Sequence, residues 1–183
     1  MRLFIAIDIS QDLKEKLSRL IAKLKKCDLD AKWVSSTNIH MTLKFLGETQ
    51  EEQLAEIKNI ITAVCVKFSR LELSINGFGF FPHEKSPRVF FISTDNEEIL
   101  KSISLELEER LESLGFPKES RFRSHLTIAR FRSKKNIDCL KKEIKNISII
   151  AKFDVTEIIL SKSTLTPQGP IYEKIFSAPL KIN

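Results

Sequence analysis

Two stretches of this chain carry one pattern: His40-Met41-Thr42-Leu43 and His125-Leu126-Thr127-Ile128, at positions 40 and 125 and so 85 apart. The same succession of elements surrounds each, namely strand, helix, motif strand, helix, strand. The fold therefore has to seat two similar halves with one motif strand apiece. With three His and nine Thr in 183 residues, chance sets a Thr two positions after both members of some histidine pair only about 0.7% of the time.

The surrounding elements follow from periodicity. Arg2 to Ile9 is a continuous apolar, β-rich run and predicts a buried strand. Ser10 opens a helix with Leu13, Leu17, Leu20, Ile21 and Leu24 along one stripe. A polar turn and Trp33-Val34 precede the first motif strand, Ile39 to Leu46, which Gly47 ends. Thr49 and Glu52 read as a capping box for a helix striped by Leu54, Ile57, Ile61 and Val64. Leu71, Leu73 and Ile75 then alternate with polar residues as a half-buried strand. Gly77 to Arg88, with two Gly and two Pro, reads as the one clear break.

Beyond it the order begins again. Val89 to Thr94 is a strand, and Asp95 with Glu98 caps a helix through Ile99, Ile103, Leu107, Leu111 and Leu114. The second motif strand runs from about Phe122 to Phe131. A helix through Ile137, Leu140, Ile144 and Ile147 and a strand from about Phe153 to Ser161 follow. A turn at Thr166 to Pro170 leads into a last strand, Ile171 to Phe176. The expected organisation is one bilobal domain over 1–183, with pseudo-repeats at about 1–80 and 86–183.

Composition narrows the class. The content of 42% hydrophobic and 30% charged residues is that of an ordinary globular protein. A net charge of +6 suits a polyanionic partner such as RNA, and equally a mildly basic cytosolic surface. Cys27, Cys65 and Cys139 make neither a CxxC pair nor an even framework, so a reducing intracellular compartment, the cytoplasm, is expected. The apolar start is too short for a secretion signal, and no stretch approaches the roughly 20 apolar residues of a membrane span.

Residues two apart on a strand share a face. His40 and Thr42 thus stand together opposite Met41, Leu43 and Phe45, and His125 and Thr127 opposite Leu126 and Ile128. With the apolar residues in the core, two facing lobes would bring two imidazole–hydroxyl pairs across a cleft. Imidazoles titrating near 6.5 can divide acid and base roles, while Thr42 and Thr127 donate to phosphate oxygens. No Asp/Glu cluster is placed for a metal, and two His without nearby Cys or carboxylate make a poor zinc site. No G-x-S-x-G elbow is present.

These motifs resemble the 2H phosphoesterase superfamily, and specifically the RNA 2′,3′-cyclic phosphodiesterases, also called 2′-5′ RNA ligases. The resemblance extends over Arg2 to Ile7, Lys32-Trp33-Val34, Asn38 to Glu48, Gly77 to Pro82, Phe122 to Arg130 and Gly169 to Tyr172. The family usually has Pro before the second motif histidine, where this chain has Ser124.

The resemblance implies an α+β bilobal fold, with two pseudo-repeated lobes whose antiparallel sheets line a central cleft and helices outside. It implies cofactor-free, metal-independent hydrolysis of an RNA terminal 2′,3′-cyclic phosphate to a 2′-phosphomonoester, with 2′-5′ ligation as the reverse reaction. His40 would be the acid that protonates the leaving 3′-oxygen, and His125 the base that activates water. The partners would be RNA ends or oligonucleotides bearing a cyclic phosphate, tRNA fragments among them, met by a monomer with no membrane.

Further substrate contacts are expected at Lys44, which shares the face of His40 in a regular strand, at Arg130 if its strand bends, and at Tyr172 as a base-stacking ring. Each has a plainer reading as an ordinary strand residue. Trp33 is expected to pack at the cleft base and His83 to be a surface residue of the central loop. Other readings keep the chemistry but change the substrate, to 2′-5′ oligoadenylates or a small cyclic nucleotide such as ADP-ribose 1″,2″-cyclic phosphate, or drop it for a non-catalytic RNA-binding module.

Overall fold

The computed structural model describes residues 1–119 and 122–182. Its first strand, β1 (Arg2–Asp8), is buried from Leu3 to Ile7 because both of its faces are covered. Leu3, Ile5 and Ile7 enter the main core, and Phe4 and Ala6 pack on the opposite face with Ile159 and Tyr172. The helix α1 (Gln11–Leu24) starts where expected, with the Leu13 amide donating to the Ser10 hydroxyl at 3.3 Å. It buries Leu13, Leu17, Ile21 and Leu24.

Next come β2 (Ala31–Trp33), the first motif strand β3 (His40–Glu48), and α2 (Leu54–Cys65). β3 continues through Gly47 rather than stopping at it. The cap before α2 sits one residue later than the sequence suggests. Gln50 and Gln53 cap each other reciprocally, because Thr49 is tied elsewhere, its amide donating to the Met1 carbonyl at 2.8 Å and its hydroxyl to the Gly47 carbonyl at 3.1 Å.

β4 (Leu71–Phe81) takes in Gly77 to Phe81, which the sequence reading had assigned to a loop. The glycine at 79 serves packing rather than a turn, since a Cβ there would drive into the Phe91 ring. β5 (Val89–Thr94) and α3 (Glu97–Glu112) follow. The N-cap of α3 is Asn96, not Asp95, whose carboxylate instead accepts the Ser74 amide at 2.7 Å. The second motif strand β6 (His125–Phe131), α4 (Ile137–Lys145), β7 (Ala151–Val155), β8 (Glu157–Thr166) and β9 (Gly169–Pro179) complete the chain. The single strand expected over Phe153 to Ser161 is thus two, parted at Thr156.

The strands form two sheets, in the orders β3-β1-β8-β9 and β2-β6-β5-β4-β7, all paired antiparallel. Each sheet takes strands from both halves of the sequence. The first joins β1 and β3 to β8 and β9, and the second joins β5, β6 and β7 to β2 and β4.

Two of the three cysteines do pair, contrary to the sequence reading. Cys27, in the turn after α1, is bonded to Cys139 of α4 across a separation of 112 residues. Such a pairing depends on tertiary approach and has no signature in spacing. Cys65 is buried and free, with its thiol pushed up to about 11 by that burial. Among the described residues, no helix is long and apolar enough to cross a membrane.

Candidate active site

Each motif strand carries an extra residue three positions after its histidine, and β3 has a second at Leu46. In β3, Ala6 pairs with Thr42 and Ile5 with Lys44, which leaves Leu43 without a partner. In β6, Phe91 pairs with Thr127 and Phe90 with Ala129, which leaves Ile128 without one. A bulge of this kind inverts which residues face the core beyond it. Three sequence expectations turn on that inversion.

Lys44 rotates away from the cleft face. It is 2% exposed, and its ammonium donates to Glu108 Oε2 at 2.7 Å and to the Pro117 carbonyl. Its expected role as a phosphate contact is therefore withdrawn. Phe45, expected in the core, is instead 52% exposed and lines the cleft. Arg130 joins the face of His125 and Thr127, as it could only in a strand that bends.

The cleft has a volume of about 940 Å³ and brings together His40, Thr42, His125, Thr127, Arg130 and Tyr172. Trp33 also lines it, and His83 is exposed in the central loop. A smaller recess of about 80 Å³ runs from Thr42, Phe45 and His125 to Glu108 and Glu119.

The two imidazoles are anchored alike. His40 donates from Nδ1 to the Asn38 carbonyl at 2.8 Å, and His125 donates from Nδ1 to the Arg123 carbonyl at 2.7 Å. Both acceptors lie two residues earlier. This fixes one neutral tautomer, in which Nε2 is the unprotonated nitrogen of each ring. Nε2 of His40 meets the Thr42 hydroxyl at 3.1 Å.

Aromatic rings complete each seat. Phe4 stacks on His40 at 4.7 Å and Tyr172 meets it edge-on at 5.2 Å. Phe81 and Phe91 stand edge-on to His125 at 4.9 and 5.5 Å. The Arg123 guanidinium lies over those same two rings. The sequence reading assigned no role at the site to Phe4, Phe81 or Phe91. The alternation around Gly79 was its one available signal.

Burial lowers the pKa of both histidines below 6.5, and their other surroundings differ. For His40, the Asn38 bond and the Asp8 carboxylate work against the lowering, while the His125 and Lys14 charges add to it. For His125, the Arg123 carbonyl works against it, while the Arg130 and Arg123 charges add to it. The Ser124 hydroxyl, just before the second motif histidine, is buried without a hydrogen-bond partner among the described residues. Among those residues no three of His, Cys, Asp and Glu converge as metal ligands.

This arrangement has known counterparts. The family described as LigT like Phosphoesterase matches residues 7–91 and again 92–172. The chain belongs to the LigT-like phosphoesterase family. Its relatives in that family include proteins named RNA 2′,3′-cyclic phosphodiesterase from Thermotoga maritima and from Methanocaldococcus jannaschii. The first is 37% identical over 96% of this chain and 94% of its own length, and the second 38% identical over 96% and 98%.

A Thermus thermophilus crystal structure superposes with a TM-score of 0.81 at 25% identity, covering 98% of each chain. Apo LigT of E. coli gives 0.78 at 22% identity, covering 98% of this chain and 96% of its own. The bilobal α+β fold read from the sequence is the LigT-like fold. The expected enzyme class, an RNA 2′,3′-cyclic phosphodiesterase, agrees with the names of these relatives.

Proposed function

We propose that this chain hydrolyses a terminal 2′,3′-cyclic phosphate of RNA to a 2′-phosphomonoester, without a metal, by acid–base catalysis between His40 and His125. The observation that carries this reading is the matched seating of the two rings, each with Nδ1 bound to the carbonyl two residues before it and Nε2 left as the unprotonated nitrogen, which in His40 accepts from the Thr42 hydroxyl. A cyclic phosphate between them would have a proton acceptor on one side and a proton donor on the other.

In the forward direction, neutral His125 takes a proton from water at Nε2 as the water oxygen bonds to phosphorus. The P–O3′ bond breaks opposite it, and protonated His40 gives its Nε2 proton to the departing O3′. The allocation of roles leans on the carboxylate: Asp8, itself paired with Lys14 at 2.7 Å, favours a proton on His40 against the charges of Lys14 and His125, whereas the only charges acting on His125, those of Arg123 and Arg130, disfavour one there. Thr42 and Thr127 steady the non-bridging oxygens as negative charge gathers. Tyr172 and Phe45 are accessible aromatic faces of the cleft, either suited to stack a nucleobase.

The same displacement with an RNA 5′-hydroxyl in place of water, its oxygen bonding to phosphorus as P–O3′ breaks and O3′ takes the proton, gives a 2′-5′ phosphodiester, which is 2′-5′ ligation. Cytoplasmic RNA ends, tRNA fragments among them, are the proposed substrates of a monomeric enzyme. Among structural neighbours, E. coli LigT has been crystallised with 3′-AMP and with phosphate, ligands that carry the group this cleft would hold.

The test is incubation with a short RNA ending in a 2′,3′-cyclic phosphate, in EDTA, followed by analysis of the product end. A 2′-phosphate is expected, with His40→Ala and His125→Ala each slowing turnover by about 10²–10⁴. Binding of the RNA with no turnover, or turnover abolished by EDTA, would overturn the reading.

A further inference from the structure

The two ends of the cleft differ in charge. At one end Thr42, Phe45 and His125 open into a recess whose carboxylates, Glu108 and Glu119, are matched by Lys44 and Arg123. Elsewhere the cleft carries Arg2, Lys32 and Arg130, and no carboxylate among the described residues lines it. Nor does any ion pair among the described residues hold Lys32 or Arg130.

Lys32 was not singled out from the sequence, and its position is specific. It stands in β2 directly across from Arg130 in β6, so their Cα atoms are about 4.5–5.5 Å apart and their side chains rise on one face. Its ammonium lies over the β8–β9 hairpin, where a Cβ added to Gly169 would meet Lys32 Cε and Nζ at 3.9 Å. Gly169 holds a φ of +137°, which L-residues rarely adopt, so no side chain comes between the ammonium and the cleft. The hairpin is fixed in turn by Asn38, whose side-chain amide donates to the Pro170 carbonyl at 2.8 Å. Along β6, Thr127 to Arg130 spans about 7–10 Å, close to one nucleotide of an extended strand.

A cyclic mononucleotide seated at the histidines has nothing to offer these cations. An oligoribonucleotide has the phosphodiester on the 5′ side of its terminal nucleoside. We propose that Lys32, with Arg130 across from it, forms a subsite for that phosphodiester, so that the enzyme selects oligonucleotide ends over cyclic mononucleotides. This rests on the reaction proposed above.

The test compares kcat/KM for adenylyl-(3′→5′)-adenosine 2′,3′-cyclic phosphate with that for adenosine 2′,3′-cyclic phosphate. Wild type should favour the dinucleotide by about tenfold, the scale of one charged hydrogen bond at an open site. Lys32→Ala should lose most of that preference and leave the mononucleotide rate within about twofold, and Lys32→Glu should invert it. The salt dependence of the dinucleotide reaction should flatten by about 0.7 in log–log slope for the cation removed.

Equal losses on both substrates, or no loss on either, would overturn the subsite while leaving the reaction intact. No turnover of either substrate by wild type would overturn the reaction instead. In that event the affinity for adenylyl-adenosine 2′-phosphate against adenosine 2′-phosphate, by calorimetry, decides the subsite: Lys32→Ala must weaken only the first.

Discussion

Leu43 and Ile128 hold the same place in their strands: Leu43 is passed over in the pairing with β1 and Ile128 in the pairing with β5, and each follows its motif histidine by three residues. The two bulges carry Phe45 and Arg130 onto the cleft face and send Lys44 and Ala129 into the core. The register of the site therefore depends on two apolar residues that touch none of its chemistry.

Truncating Phe45 should show which way its strand faces. Phe45→Ala is expected to change unfolding free energy by about 0.5 kcal/mol or less, as at an exposed position. Met41→Ala, four residues earlier and fully buried, should cost about 2–5 kcal/mol. Urea titrations of the two variants make the comparison. Equal costs would place Phe45 in the core.

Glu108 holds Lys44 and also accepts the Glu119 amide at 3.1 Å, so it ties α3, β3 and the segment before β6 together. Glu108→Ala leaves a buried ammonium without its counter-charge. A loss of about 3–5 kcal/mol is expected in chemical denaturation. The double change Lys44→Met with Glu108→Leu should recover much of it, since an apolar pair of similar volume carries no charge to desolvate. Failure to recover would mean that the pair does more than fill space.

Both motif histidines titrate below 6.5 in the folded protein, chiefly because burial disfavours the charged ring. In the window between their depressed values and 6.5, the unfolded chain binds more protons than the folded one, so stability rises with pH there and is lost as pH falls. The profile of kcat/KM should be a bell whose maximum lies on the acid side of 6.5, because both limbs report lowered free-enzyme values. Asp8→Asn removes a charge that holds a proton on His40, and should move the alkaline limb further toward acid. A limb that stayed in place would separate Asp8 from the acid.

The Cys27–Cys139 bond closes 112 residues of chain. Restricting a loop of that length in the unfolded state stabilises the fold by about 4–5 kcal/mol in the chain-entropy account. Thermal melts with and without dithiothreitol, and of Cys27→Ser, should therefore differ by several degrees. Identical melts would show that the bond adds nothing to the native state.

Element order and both motif strands were legible in the sequence because periodicity reports which face is apolar, and helices such as α1 carry their stripe and cap openly. The bulges were not legible. Leu43 and Ile128 look like ordinary apolar strand residues, and only the partner strand reveals that they are extra. Every error at the site follows from them, namely the placement of Lys44 and Phe45 and the hesitation over Arg130. Gly77 to Phe81 misled for a different reason: glycine usually marks a turn, but at Gly79 it makes room for a ring contributed from another strand. Lys32 escaped notice because its importance lies in what it faces, Arg130 and Gly169, neither of which is near it in sequence.

The exchange of strands between the two sheets has a consequence for synthesis. His40 is translated early, yet its strand lies in a sheet finished by β8 and β9, and Asn38 beside it is moored to Pro170, which is 132 residues later. A ribosome that has released the first half of the chain has therefore released one histidine motif without its mooring. The nascent protein can meet the RNA around it with no working site until β9 emerges.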